Sequence, residues 1–160
     1  MAVPEELFRA VRALAGRQCQ YCRMHESLQG ATFHLEHVIP LCKGGRSDLE
    51  NLVLACPGCN LHKAGRTTAI DPATGEEVRL FHPLRQPWPE HFRFKGYQIE
   101  GLTAVGRATV HALNLNHPRR QRIREVEEAF GLYPPRLKAG WRRASSALRL
   151  TSPPHRPIKS

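Results

Sequence analysis

The chain has 160 residues, of which 24 are Lys or Arg and 14 are Asp or Glu, so its formal net charge is +10. This length suits one compact domain, or a small domain with an appendage. No apolar run approaches the roughly 20 residues that cross a bilayer, which excludes a transmembrane helix, and the absence of internal repeats excludes solenoids and propellers.

The first half of the chain predicts a helix, two strands and a second, short helix. Residues 4–16 start with Pro and acidic side chains and continue with apolar residues at helical spacing, and Gly16 ends this pattern. Residues 32–39 and 49–55 have the composition of β-strands. Residues 60–65 predict the short helix.

The second half starts with a predicted turn at residues 71–77, followed by two β-rich stretches at residues 78–84 and 91–102. Two helices are predicted after them, at residues 102–116 and 118–131. Thr103 is a candidate N-cap for the first of these helices. From Tyr133 onward Pro, Arg and Ser dominate, and this composition is typical of a disordered or loosely docked tail.

The net positive charge lies in the second half of the chain, since the first half is balanced. Residues 1–80 carry nine basic and nine acidic side chains, whereas residues 81–160 carry fifteen basic and five acidic ones. Residues 114–160 alone hold eleven basic and three acidic side chains. This asymmetry predicts a polyanionic partner. Nucleic acid is favoured over a membrane surface because no strongly amphipathic basic helix with aromatic anchors is evident.

Four of the five cysteines form the Cys-x-x-Cys pairs Cys19/Cys22 and Cys56/Cys59. Thiolates at this spacing reach one ion from a tight turn, and two such pairs complete a tetrahedral Zn²⁺ shell. The alternatives are a redox dithiol, for which the thioredoxin-like βαβ pattern is absent, and two disulfides. Disulfides are disfavoured in the reducing, cytoplasmic compartment that we expect from the lack of a secretory h-region. Cys42 is expected to be a free thiol.

A strand–loop–strand–helix pattern lies between the two cysteine pairs and runs into the second pair. Its elements are Glu36-His37-Val38-Ile39-Pro40, Gly44-Gly45, Asn51-Leu52 and Cys59-Asn60 with Lys63. Together with the flanking cysteines, this pattern resembles the HNH endonucleases. The runs NLHKAGRTTAIDPATGEEVRLFHPLRQPWPEHF and GLTAVGRATVHALNLN resemble the extension of a subgroup of small bacterial and phage-type members, so the resemblance covers about residues 17–117.

The resemblance implies an α+β fold. Its centre is a ββα-metal (HNH/His-Me finger) core braced by a four-cysteine zinc site, with an additional small β element and C-terminal helices. We expect residues 1–68 to form the N-terminal helix and this core, residues 69–131 an extension packed on it, and residues 132–160 a basic, flexible tail. The aromatic side chains of the extension are expected to form a small second core rather than a surface on which bases stack: Trp88, Phe92, Phe94 and Tyr97.

The activity that the resemblance implies is metal-dependent hydrolysis of phosphodiester bonds in DNA. His37 matches the general base that activates water. Glu36 and Asn60 match the ligands of a single divalent cation, and their oxygen donors favour Mg²⁺ or Mn²⁺. Asn51 matches the middle letter of HNH, which orients the loop of the catalytic His. The sequence departs from the pattern twice, since Glu stands where the family often has Asp and Asn60 replaces the third-letter His.

Several basic side chains are candidate phosphate contacts: Lys63, Arg66, Arg119, Arg120, Arg122 and Arg124. Two histidines leave alternatives open. His34 shares a strand face with Glu36 if the strand alternates regularly, so it either approaches the metal or a phosphate or is a surface residue. His62 either touches the DNA backbone or is solvated. A monomer and a homodimer both fit the sequence.

Two other functions compete with the DNA nuclease. A non-catalytic, zinc-dependent DNA-binding module needs the cysteine pairs and the basic tail, but it does not need Glu36, His37 and Asn60 together. The presence of all three favours the enzyme. An RNA nuclease is the third hypothesis, and no RNA-binding module is recognisable in the chain.

Overall fold

A computed structural model describes residues 2–137. Residues 138–160, most of the tail that the sequence predicts to be flexible, lie outside the described part. Within residues 2–137 the chain forms five α-helices and six short strands, and the strands pair into three separate antiparallel hairpins. This combination confirms the predicted α+β class. No helix in the described part is long and apolar enough to cross a membrane.

The first helix, α1, spans Glu5–Leu14, within the predicted range. Glu5 and Glu6 lie in its first turn, where the positive end of the helix dipole favours carboxylates. The helix buries Val11 in the core and packs against the second strand of the first hairpin.

The first hairpin consists of β1, His34–His37, and β2, Leu52–Ala55. The strands are antiparallel, with Glu36 opposite Val53 and His37 opposite Leu52. All four residues of β2 are buried, which makes it the central strand of the core. Both strands are shorter than predicted: residues 32–33 precede β1, and residues 38–39 and 49–51 belong to the loop that joins the strands.

The helix α2 follows β2 directly and spans Pro57–Lys63. It begins three residues earlier than predicted because Cys56 serves as its N-cap, where its sulfur accepts a hydrogen bond from the Cys59 amide. Pro57 at the first helical position needs no hydrogen-bond partner for its nitrogen. The second cysteine pair therefore begins the helix, with Cys56 at its N-cap and Cys59 in its first turn, rather than forming a knuckle that precedes it.

The extension contains the remaining hairpins and helices. The strands are β3 (Thr68–Ile70), β4 (Glu77–Arg79), β5 (Phe92–Lys95) and β6 (Gln98–Gly101), and the helices are α3 (Trp88–His91), α4 (Ala104–Ala112) and α5 (Pro118–Ala129). The Thr103 side chain accepts a hydrogen bond from Gly106 N, which confirms the predicted N-cap of α4. The strand β3 was not predicted, since three residues are too few to show an alternating pattern.

One hydrophobic core serves both halves of the described chain. Trp88 and Phe92 belong to the same buried cluster as Tyr21 and Leu54, and the Trp88 indole donates a 2.8 Å hydrogen bond to the Tyr21 carbonyl. The expected second aromatic core is therefore not separate. Trp88 still stacks on Phe94, with 4.8 Å between ring centroids, but this pair extends the main core.

The chain remains docked at the beginning of the predicted tail. Tyr133 is buried, its ring meets Phe94 edge to face at 5.2 Å, and its hydroxyl donates to the Gly96 carbonyl. The flexible segment cannot begin at Tyr133, because this side chain covers the β5–β6 hairpin.

Candidate active site and metal centre

The four paired cysteines form one buried cluster. Their sulfur atoms lie within 4.8 Å of one another, and the Cys22 and Cys56 sulfurs are 3.8 Å apart. A disulfide requires about 2.05 Å, whereas two thiolates on one tetrahedral Zn²⁺ at about 2.3 Å lie near 3.8 Å from each other. The cluster therefore has the dimensions of a zinc site, as predicted, and among residues 2–137 it is the only group of three or more Cys, His, Asp or Glu suited to a metal.

Hydrogen bonds from Gln20, which lies between Cys19 and Cys22, hold the first cysteine pair against β2. Gln20 donates its amide to the Leu54 carbonyl at 2.9 Å, and its side-chain oxygen accepts from Leu54 N at 2.7 Å. The turn is closed by the bond from Arg23 N to the Cys19 carbonyl at 2.8 Å. Both cysteine pairs therefore flank β2, one beside it and the other at the start of α2.

A buried arginine from the extension contacts the cysteine cluster. Arg120 on α5 places a guanidinium nitrogen 3.4 Å from the Cys59 sulfur. Burial opposes its charge, but the sulfurs of Cys59, Cys22 and Cys56 outweigh burial and raise the Arg120 pKa. A Cβ at Gly58 would collide with this guanidinium, so the missing side chain at Gly58 leaves the space that Arg120 occupies.

Two further arginines are buried near the same cluster. Arg23 is 5% exposed, and burial lowers its pKa to about 10 even though Cys19 and Cys22 favour its charge. Arg124 is 1% exposed and donates to the carbonyls of Tyr97 and Leu115, at 2.7 and 2.6 Å. Four thiolates around one Zn²⁺ carry a net charge of −2, which cationic neighbours offset.

The prediction that Arg120 and Arg124 contact DNA is therefore wrong, because both side chains point into the protein. Sequence reasoning treated the arginine run of α5 as one charged surface. The helical periodicity places these arginines on two sides of α5. Arg120, Arg124 and Glu127 lie on the buried side. Arg119 and Arg122 are exposed. The exposed pair stays a prediction as phosphate contacts.

The first strand carries the predicted catalytic pair at its end. Glu36 is partly buried, with a 12% exposed side chain, and one of its carboxylate oxygens accepts a 2.8 Å hydrogen bond from Lys63. His37 is the next residue, and its Nε2 lies 2.8 Å from the Ser47 hydroxyl. His34, two residues before Glu36, is exposed.

Asn51 joins the two ends of the loop that follows His37. Its side-chain oxygen accepts from Ile39 N at 2.9 Å, and its amide nitrogen donates to the carbonyls of Ile39 and Arg46, at 2.8 and 2.9 Å. A Cβ at Gly45 would collide with the Ile39 carbonyl, so the loop requires Gly there. This network fixes the backbone on which His37 and its partner Ser47 lie.

The helix α2 brings Asn60 and Lys63 to the strand. Lys63 is 1% exposed and bonds both Glu36 and, at 3.0 Å, the His37 carbonyl. Asn60 precedes Lys63 by one helical turn and therefore shares its face of α2. Sequence reasoning assigned Lys63 to DNA phosphate, which is wrong for an ammonium buried against a carboxylate.

The remaining candidate contacts lie on the exposed side of α2 and just beyond it. His62 is exposed, and its carbonyl accepts a hydrogen bond from the Arg66 guanidinium. Arg66 also donates to the Ala112 carbonyl at 2.9 Å, which links the end of α2 to α4. Its side chain remains accessible, so contact with phosphate stays a prediction for Arg66, as it does for His62.

The comparisons with known proteins point to the same segment. Residues 19–66 match the family model described as HNH endonuclease, and this match includes Glu36, His37, Asn51 and Asn60. Comparisons with curated proteins and with solved structures gave no match. The family match confirms the resemblance found in the sequence and supports, in general terms, a nuclease or nucleic-acid-binding function.

Proposed function

We propose that this chain, whose residues 19–66 form an HNH domain, is a cytoplasmic, metal-dependent endonuclease that hydrolyses phosphodiester bonds in DNA. The observation that carries the proposal is the hydrogen bond from Lys63 to Glu36, which joins α2, the helix of Asn60, to the strand that ends in Glu36 and His37. Structural zinc holds that arrangement together, because its ligands flank the central strand and begin the helix. The exposed arginines of α5 supply a basic surface for the polyanion.

The donor chemistry of the site fits a divalent cation of the Mg²⁺ or Mn²⁺ type. Lys63 occupies one oxygen of Glu36, which leaves the other oxygen for a cation, and Asn60 offers an amide oxygen from α2. When bound, the cation supplies Lewis-acid stabilisation of the phosphate and of the leaving oxygen.

The imidazole of His37 acts as the general base. Its Nε2 donates to the Ser47 hydroxyl in the tautomer that leaves Nδ1 with a free lone pair, and Nδ1 then takes the proton of the attacking water. Asn51 contributes indirectly, since it fixes the loop on which the imidazole and Ser47 meet.

The test is cleavage of supercoiled plasmid with Mg²⁺, Mn²⁺ or EDTA, using the wild type and His37→Ala. We expect metal-dependent relaxation by the wild type and a loss of at least about a thousandfold in the variant, because general-base catalysis and ring positioning are both removed. His111→Ala is the matched control, since it removes an exposed imidazole from the end of α4, to which no role in the site is assigned.

Other outcomes would assign a different function. A folded, zinc-loaded protein that shifts the plasmid on a gel without cutting it would indicate the non-catalytic binding module. Preferential cleavage of a matched RNA in parallel assays would indicate an RNA nuclease. Equal cleavage by the wild type and His37→Ala would contradict the assignment of the base.

A further inference from the structure

Lys63 is a charged side chain in an unusual place, at the last residue of α2 and almost fully buried. Its ammonium lies 2.8 Å from a carboxylate oxygen of Glu36 and 3.0 Å from the His37 carbonyl. Lysine is rarely buried unless its charge is paired. Here the same ammonium joins the residue predicted to bind the cation and the backbone of the residue predicted to act as base.

The consequence of this pair is electrostatic. Glu36 supplies the only formal negative charge among the site residues Glu36, His37, Asn51 and Asn60, and Lys63 balances it. Asn60 contributes an uncharged amide. In a partly buried site, an adjacent cation strongly disfavours a second cation unless further negative charge arrives. The phosphate of a nucleic acid brings that charge.

We infer that Lys63 is a positioning residue that makes binding of the divalent cation depend on substrate. In the free protein it neutralises Glu36 and keeps cation affinity low. In the complex the scissile phosphate adds negative charge and oxygen ligands, so the cation and the nucleic acid bind cooperatively. This inference rests on the proposed function, because it takes Glu36 as the cation ligand.

Lys63 also fixes the geometry of Glu36. Glutamate has one methylene more than the Asp that is frequent at this position of the family, and its carboxylate therefore has more rotamers. The bond from Lys63 holds one carboxylate oxygen and leaves the other available to a cation. A purely structural role, in which Lys63 only anchors α2 to β1, would require the same contacts, so the test must separate the two roles.

The test is Mn²⁺ binding, measured by electron paramagnetic resonance on zinc-loaded protein with and without a DNA duplex. All variants carry His37→Ala, so that the duplex stays intact. Binding that persists in Glu36→Gln is subtracted as binding elsewhere. With Lys63 present, we expect at least tenfold tighter Mn²⁺ binding when the duplex is added.

The decisive variant is Lys63→Met, which keeps most of the side-chain volume and removes the charge. We expect it to bind Mn²⁺ at least tenfold more tightly than its parent in the absence of DNA, and the effect of DNA to shrink accordingly. Lys43→Met is the matched control, since Lys43 is exposed and its ammonium donates to the Gly65 carbonyl at 3.0 Å, away from Glu36. It should leave Mn²⁺ affinity unchanged.

Loss of a structural anchor alone would leave Mn²⁺ affinity unchanged or reduce it, and either result in folded Lys63→Met would overturn the inference. If Lys63→Met fails to retain zinc, Lys63→Gln preserves hydrogen bonding to Glu36 without the charge and is read in the same way. Mn²⁺ binding does not depend on cleavage, so a protein that never cuts DNA can still show the expected gain. Failure of the proposed function and failure of this inference therefore give different results.

Discussion

At the scale of single residues, the contact between Ser47 and His37 occupies one of the two imidazole nitrogens. The hydroxyl oxygen lies 2.8 Å from Nε2, and Ser47 sits in the loop that Asn51 holds closed. The proposed general-base role requires Nε2 to donate to this hydroxyl, because Nδ1 then keeps its lone pair for the proton of water.

We expect Ser47→Ala to lower kcat for DNA cleavage about tenfold, with little change in DNA affinity, because the imidazole loses its orienting partner. Single-turnover cleavage rates at saturating protein measure this change. Ser47→Thr retains a hydroxyl and should recover most of the rate. A Ser47→Ala enzyme as fast as the wild type would show that another group orients His37.

Glu127 is a second residue with a measurable consequence, this time for stability. Burial raises its pKa to about 7, although the His25 amide donates to its carboxylate at 2.7 Å. Its folded-state pKa therefore exceeds the ordinary value of a Glu side chain. Linkage then means that stability is lost as pH rises from the ordinary Glu range through 7, because the fold favours the protonated form.

We expect Glu127→Gln to flatten this dependence. Between pH 6 and 8 the wild type should lose about 1 kcal/mol of unfolding free energy relative to the variant, because only the wild type acquires a buried charge. Denaturant unfolding of zinc-loaded protein at both pH values provides the measurement. Parallel pH dependences in the two proteins would mean that Glu127 does not titrate between pH 6 and 8 in the folded protein.

At the scale of elements, α5 is tied to the cysteine cluster by Arg120. The guanidinium contacts the Cys59 sulfur and occupies the space above Gly58, so the last helix of the described chain completes the surroundings of the metal site. Zinc retention and docking of α5 should therefore be coupled.

We expect Arg120→Met to destabilise the zinc-loaded protein by about 2 kcal/mol, because the anionic cluster loses a buried cation. The variant should also release zinc to a chelator faster, which a colorimetric zinc indicator reports together with thermal unfolding. Arg119→Met, one residue away and exposed, is the control and should change stability by less than about 0.5 kcal/mol. If both variants lose zinc and unfold alike, Arg120 does not stabilise the cysteine cluster.

Elements were predictable where local chemistry determined them. The paired cysteines, the Pro and acidic start of α1 and the cap at Thr103 each carry a local signal, and the structure contains the corresponding features. The short strand β3 has no such signal. The start of α2 was misplaced because capping by a Cys sulfur is not part of the usual N-cap preferences.

The sequence did not predict that two charged side chains of the site, Lys63 and Arg120, are buried. Lys63 pairs with Glu36, which lies 27 residues earlier, and Arg120 reaches a cysteine 61 residues away. Residue type alone favours the surface for both side chains. Their burial depends on partners that only the folded chain brings together.

At the scale of the whole molecule, the positive charge is unevenly placed. Residues 138–160 carry six basic and no acidic side chains, and they follow a described part in which Tyr133 is still packed on the core. Removing residues 138–160 therefore tests the contribution of the charged tail without disturbing the Tyr133 contact.

We expect deletion of residues 138–160 to weaken DNA binding and to reduce the slope of log affinity against log salt, because fewer counterions are released. Cleavage at low salt should persist. A full-length variant with the six basic residues changed to Gln separates charge from chain length, and should behave like the truncation. An unchanged salt slope in both proteins would show that the tail does not touch DNA.

The hydrogen bond from the Trp88 indole to the Tyr21 carbonyl determines whether the segment that matches the HNH family model can fold when it is moved to another protein. Tyr21 lies inside residues 19–66, whereas Trp88 and the aromatic side chains around it lie outside that segment. An excised 48-residue fragment would expose the apolar surface that these aromatics cover and would lose the arginine beside Cys59. We therefore expect a fusion protein that contains this segment to fold only if it includes the chain from α1 through Tyr133.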